Sequence, residues 1–159
     1  MATSVRYARP DDRPFITTLG ESSSAETTSP QRPAPAHATA LAFRKLLAYC
    51  DEHAANVTLV GEVDGARAGI SIVVFDVLDD VTQREQAFVA YMAVAREHRR
   101  RGVARALLAA AEEEARRRGM SHISLMVTEA SEPARSLYAQ AGFTDERVLM
   151  TKAIGRAAR

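Results

Sequence analysis

The chain has 159 residues, one cysteine, and 21 basic against 20 acidic residues, for a formal net charge of +1. That length suits one domain with a single core, the lone Cys50 excludes an internal disulfide framework, and the near-cancelling charge argues against a general nucleic-acid binder. Hydrophobic residues make up 47% but aromatic ones only 6%, so Ala, Val and Leu must do most of the packing. No long apolar run precedes Arg13 and no segment approaches the length of a membrane-spanning helix, which predicts a soluble cytoplasmic protein with no leader peptide and no membrane partner.

Residues 4–9 alternate as a short strand ended by Pro10, and Asp11 or Asp12 caps a helix through Phe15, Ile16 and Leu19. The stretch 20–35 is polar and proline-rich, and it is expected to be a mobile loop within one domain spanning 1–159. Residues 38–54 fit a second helix, with Leu41, Leu46, Leu47 and Cys50 near one face. Two β-rich runs, 57–63 and 66–75, are joined by Asp64-Gly65, a strong hairpin signal. A polar connection over 76–84 leads to a strand over 86–94. A helix over 102–118 follows, with Val103, Leu107, Ala110 and Ala111 as its inner stripe. Glu112, Glu113 and Glu114 precede Arg116, Arg117 and Arg118 by four residues each, the favourable order for solvated pairs, and Gly119 ends the helix. The pattern closes with a strand over 122–127, a short helix over 133–141, a last strand over 148–154 and a tail at 155–159. Strands and helices alternate around a central hairpin, which predicts an α/β fold with a mixed sheet flanked by helices.

The junction of the 86–94 strand with the 102–118 helix carries the chemistry. It reads Arg99-Arg100-Arg101-Gly102-Val103-Ala104-Arg105, a basic turn with a glycine opening a helix. The first N–H groups of a helix have no intrahelical partner, and the helix dipole adds partial positive charge there. Such an end binds phosphate, the arginines add full charges around it, and Gly102 lets the backbone approach an anion closely. The histidines (His37, His53, His98, His122) lack ligand spacing, and Cys50 with His53 forms only half a metal site, so no metal is expected. Cys50 itself reads as a small core residue rather than a nucleophile.

These residues resemble the GCN5-related N-acetyltransferases. Arg99-x-x-Gly102-x-Ala104 is similar to the family's Arg/Gln-x-x-Gly-x-Gly/Ala signature, and 94–98 stands where the family has Val-x-Pro-Glu-Tyr. The stretch 134–143, containing Ala134, Leu137, Tyr138, Gly142 and Phe143, resembles the later Ala-x-x-Leu-Tyr-x-x-x-Gly-Phe element, and 5–12 the family's first strand and turn. The resemblance implies a central mixed, mostly antiparallel sheet of six or seven strands with about four helices. It implies acetyl-CoA as cofactor, its pyrophosphate at Arg99, Arg100, Arg101, Gly102, Val103, Ala104 and Arg105, its pantetheine along Met92, Ala93 and Val94, and further contacts at Ser131 and Ala134. Ser131 departs from the asparagine common at its position. Tyr138 is expected to protonate the departing thiolate, and a backbone amide near Ala93 or Val94 to polarise the thioester.

The implied reaction is direct attack of a primary amine, small-molecule or protein, in a ternary complex formed by a monomer or homodimer. Many relatives carry a glutamate where this chain has Phe88, and the same-face neighbours Ala90 and Met92 are apolar. A general base therefore comes from Glu129, Asp76, Asp79, Asp80 or Glu21 acting through water, or from ordered water alone. The rival reading is a non-catalytic acyl-CoA-binding regulatory module, which that apolar face favours. The balanced charge disfavours nucleic acid as the partner of the arginines.

Overall fold

Two successive left-handed residues, Asp64 (φ 49°) and Gly65 (φ 82°), turn the chain between β2 (Asn56–Val63) and β3 (Ala66–Leu78). That backbone is the one whose twist suits a two-residue hairpin, so the expected turn is present. The computed structural model describes residues 1–53 and 55–155; of the expected tail, residues 156–159 lie outside the described residues. β1 (Thr3–Tyr7) lies antiparallel on β2, β4 (Glu85–Val94) antiparallel on β3, and β5 (Ile123–Leu125) parallel on β4. The sheet order is β1-β2-β3-β4-β5.

Helices cover both faces. On one side α3 (Val103–Arg117) packs Val103, Leu107, Ala111 and Ala115 against Leu59, Val63, Val73, Ala87 and Val89. Its close approach depends on glycine: a Cβ at Gly61 would lie 2.8 Å from Val103 Cγ1, and one at Gly69 would lie 3.0 Å from the same atom. On the other side α1 (Arg13–Ser23) and α2 (Ala36–Glu52) set Ile16, Leu19, Phe43 and Leu47 against Ile70 and Ile72. The fourth helix, α4 (Glu132–Gln140), follows β5.

Three expectations change. Among the described residues the sheet has five strands rather than six or seven, because no strand forms at 148–154. Val148, Leu149, Met150 and Ile154 are exposed there, so these apolar side chains find no sheet face to cover. The predicted loop over 20–35 starts late. α1 runs on to Ser23 and a 3-10 turn continues over Ser24–Thr27. Serine and threonine hydroxyls bond back onto this turn, Ser23 to the Leu19 carbonyl (2.6 Å) and Thr27 to that of Ser24 (2.7 Å), which gives the backbone local partners. Glu114 is not part of a solvated face. It is buried, accepts from the Tyr7 hydroxyl at 2.7 Å and pairs with Arg117 and Arg118.

A second buried carboxylate holds the β1 end of the sheet. Asp12, fully buried, accepts from both Nη atoms of Arg6 (2.6 and 3.0 Å), from Arg67 Nε and from the Arg9 N–H (2.7 Å). The Arg6 hydrogen bonds hold its carboxyl well below the usual carboxylate range, against the opposing effect of burial. A depressed pKa means this stabilisation is present above about pH 4 and fades as pH falls through the folded value. Asp12→Asn should therefore cost about 3 kcal/mol at pH 7, the low end for breaking a buried pair, because Arg6 and Arg67 keep some contact with water. Denaturant titrations should show the gap to wild type narrowing below about pH 4.

Candidate active site

The site begins where β4 changes partners. β4 pairs with β3 from Glu85 to Val94, but with β5 only over Ala87–Val89. At that boundary the β3 ladder is bulged: Ile72 faces Tyr91 and Val73 faces Val89, leaving Ala90 as the extra residue. One extra residue inverts the side-chain alternation downstream. Ala87, Val89, Met92 and Val94 therefore share the α3 side, whereas Ala90, Tyr91 and Ala93 pack on the α1–α2 side. The expected common face of Phe88, Ala90 and Met92 is broken by this bulge.

The basic turn follows. A 3-10 turn over Arg96–His98 leads to Arg100 (φ 64°) and Gly102 (φ 80°), both left-handed, and α3 starts at Val103. The first N–H with an acceptor is that of Ala106, bonded to the Gly102 carbonyl at 3.0 Å. Among the described residues, the N–H groups of Arg100, Arg101, Gly102, Val103, Ala104 and Arg105 have no protein acceptor, so the backbone here carries a run of free donors of the kind that can hold an anion. The guanidinium groups are largely engaged elsewhere. Arg99 donates to the Val94 carbonyl (3.2 Å) and to both oxygens of Glu26 (2.8 and 3.1 Å), which also takes Arg96 (3.2 Å). Arg101 reaches Met1 Sδ at 3.5 Å, and Arg105 reaches Gln140 Oε1 at 2.9 Å. Arg100 is exposed and has no side-chain partner among the described residues.

The Arg105–Gln140 bond ties the first turn of α3 to the end of α4, bringing α4 beside the turn. Ser131 stands at the α4 N-cap without a capping hydrogen bond, and Ala134 lies in the helix's first turn. Tyr138 is half-buried, edge-on to Phe143 with ring centres 5.9 Å apart. Its hydroxyl has no partner among the described residues, and burial pushes its pKa up, so it stays protonated at neutral pH. Thr128, just before α4, donates to the Thr27 carbonyl at 2.7 Å and links this wall to the turn after α1.

Of the carboxylates expected as bases, three are engaged by close partners. Glu21 pairs with Arg44 at 2.7 Å, Asp76 accepts from the Tyr49 hydroxyl at 2.8 Å, and Glu129 sits exposed 3.8 Å from Arg135. Asp79 is held well below the usual carboxylate range by the Thr82 hydroxyl and N–H and by Arg147, so it is a poor proton acceptor. Among the described residues, the hydrogen bond made at the neighbouring Asp80 is to its carbonyl, from Gln83 Nε2. No cluster of metal-ligating side chains occurs among the described residues.

Sequence reasoning missed a cavity of about 250 Å³ between α2, the Ser24–Thr27 turn and β4. Ser24, Thr27, Thr39, Phe43, Ala90 and Tyr91 line it, together with Ala42 and Leu46. The Tyr91 hydroxyl donates to the Gly20 carbonyl (3.0 Å) and lies 2.8 Å from Ser23 Oγ, while the Phe43 and Tyr91 rings stand 4.6 Å apart. These residues come from separate elements, and no local motif joins them. A second, more open hollow of about 480 Å³ lies at the β1–α1–α2 corner and contains no β4 residue.

The parallel pair of β4 and β5 thus parts at a bulge, beside a helix N-terminus whose N–H groups are free among the described residues. The profile of the acetyltransferase (GNAT) family matches residues 22–143, and the chain belongs to that family. It is 36% identical over 84 residues to N-acetyltransferase family 8 member 3 of Rattus norvegicus, a match covering 53% of this chain and 36% of the relative's length. In structure it is similar to a GCN5-related N-acetyltransferase from Ralstonia eutropha JMP134 (TM-score 0.74, 22% identity, 97% of this chain and 100% of that one). It is also similar to the aminoglycoside N-acetyltransferase AAC(6')-Iy in complex with CoA (TM-score 0.66, 17% identity, 94% of this chain and 98% of that one). No helix among the described residues is long and apolar enough to cross a membrane.

The cavity wall has a steric weak point. A Cβ at Gly20 would lie 2.0 Å from the Phe43 ring, which is itself packed on Tyr91. Gly20→Ala should therefore force the ring to move and destabilise the protein by about 2 kcal/mol, as overpacked cores do. Thermal unfolding checks this, and a cost below about 0.5 kcal/mol would mean the ring is not confined as described.

Proposed function

We propose that this protein transfers the acetyl group of acetyl-CoA to a primary amine by direct attack within a ternary complex. The single observation that carries the reading is the run of unpartnered N–H groups from Arg100 to Arg105, next to an unpaired β4 edge. In this reading the N–H groups of Arg100, Arg101, Gly102, Val103, Ala104 and Arg105 take the diphosphate, with Arg100 supplying a free guanidinium. The edge from Met92 through Ala93 to Val94 pairs with the pantetheine amides as a strand would. Ser131 and Ala134 line the opposite wall. The cofactor supplies an activated acyl thioester.

The chain's own groups then divide the work. A backbone amide near Ala93 or Val94 stabilises the negative charge developing on the acyl oxygen. The amine nitrogen bonds to the acyl carbon, the carbon–sulfur bond breaks, and the Tyr138 hydroxyl gives its proton to the leaving thiolate. The amine proton passes to water, from which the Tyr138 phenolate takes back the proton it gave to the thiolate. The free hydroxyl of Tyr138 favours this reading over a non-catalytic acyl-CoA-binding module.

The engaged state of Arg99 separates two variants. Gly102→Asp places a carboxylate in the turn at a left-handed position and should weaken acetyl-CoA binding by at least about 2 kcal/mol, roughly thirtyfold. Arg99→Gln should cost less than about fivefold, because its guanidinium already serves Glu26 and Val94. Calorimetry distinguishes them, and unchanged affinity in Gly102→Asp would remove the turn from the site. Tyr138→Phe should lower kcat by roughly ten- to a thousandfold with acetyl-CoA affinity intact. Because the phenol pKa is raised, the wild-type rate should decline only above the ordinary phenol value of about 10, and the variant should lack that limb.

A further inference from the structure

Resting on the acetyl-transfer reading, we propose that the acceptor is a small, singly charged amine with a neutral, largely apolar body, and that the cavity bounded by Ala90 and Tyr91 takes that body. Position supports this first. Ala90 is the bulged residue at which β4 loses β5, so the cavity opens at the same point of the strand as the unpaired edge. A body seated there leaves its amine at the β4 boundary.

The lining decides the chemistry. Ser24, Thr27, Thr39 and Tyr91 contribute hydroxyls, and Phe43 and Leu46 contribute apolar surface. The hydroxyls already donate internally: Ser24 to Thr39 (2.9 Å), Thr27 to the Ser24 carbonyl (2.7 Å), Thr39 to the Ala36 carbonyl (3.0 Å) and Tyr91 to the Gly20 carbonyl (3.0 Å). The carboxylates nearest in sequence, Glu21 and Glu26, are held by Arg44 and by Arg96 and Arg99. A second ammonium on the acceptor would find no free counter-charge in this lining. At about 250 Å³ the cavity is also smaller than most ligand pockets, so the body must be small.

The test uses the full chain with acetyl-CoA, thiol release as the readout, and two acceptor sets: phenethylamine, benzylamine and hexylamine against spermidine and kanamycin. The kcat/KM for phenethylamine should exceed that for spermidine at least tenfold. Ala42→Asp, which puts a carboxylate on an exposed α2 position at the cavity, should shrink that ratio at least tenfold with the melting temperature and acetyl-CoA Kd unchanged. Acetyl-CoA binding with polycations preferred, or a ratio insensitive to Ala42→Asp in the folded variant, overturns the proposal while leaving acetyl transfer standing. Calorimetry showing no acetyl-CoA binding would overturn the acetyl-transfer reading and this one with it.

Discussion

Everything that positions the site follows from β4 being paired on both sides as far as Val89 and on one side beyond it. A buried strand normally satisfies both rows of backbone groups, and a row left open must be met by water, a side chain or a ligand. The bulge at Ala90 bends the strand where β5 departs and turns the remaining side chains over. Met92 and Val94 consequently anchor the strand on α3, while Tyr91 and Ala93 face α1 and α2. β3 holds the opposite edge of β4 as far as Val94, while β5 leaves the near edge unpaired beyond Val89, the arrangement a site needs if it is to be pre-formed.

The arginines show how charge is divided between structure and site. Arg6 and Arg67 neutralise buried Asp12, and Arg117 and Arg118 neutralise buried Glu114, so both carboxylates act as internal struts. Arg118 also lies 4.0 Å from the centre of the Phe75 ring, combining an ion pair with a cation–π contact. In the 99–105 turn, Arg99 and Arg105 are fasteners, to Glu26 and to Gln140. What the turn leaves unengaged is therefore mainly backbone N–H groups, together with the Arg100 side chain.

The turn after α1 connects the two halves of the site. Ser24 and Thr27 bound the cavity, Glu26 grips Arg96 and Arg99, and the Thr27 carbonyl receives Thr128 from the opposite wall. Polar composition made this segment read as loop. Its hydroxyls are instead directed at carbonyls three or four residues back, and Gly20 accommodates the Phe43 ring, so packing and local bonding order it.

The sequence by itself determined the local features: the Asp64-Gly65 hairpin, the amphipathic α3 with its Gly102 entry and Gly119 exit, the alternation of strands and helices, and the Tyr138-containing helix. Each depends on residues within one or two turns, where backbone preference and periodicity act directly. Tertiary structure alone decided the bulge at Ala90, the early end of β5, the capture of Arg99 by Glu26 across 73 residues, the burial of Glu114 and the hydroxyl-lined cavity. A bulge is the outcome of pairing two strands, and an ion pair or cavity wall is the outcome of docking distant elements. Such features reflect which surfaces meet, and no short window of sequence contains both surfaces.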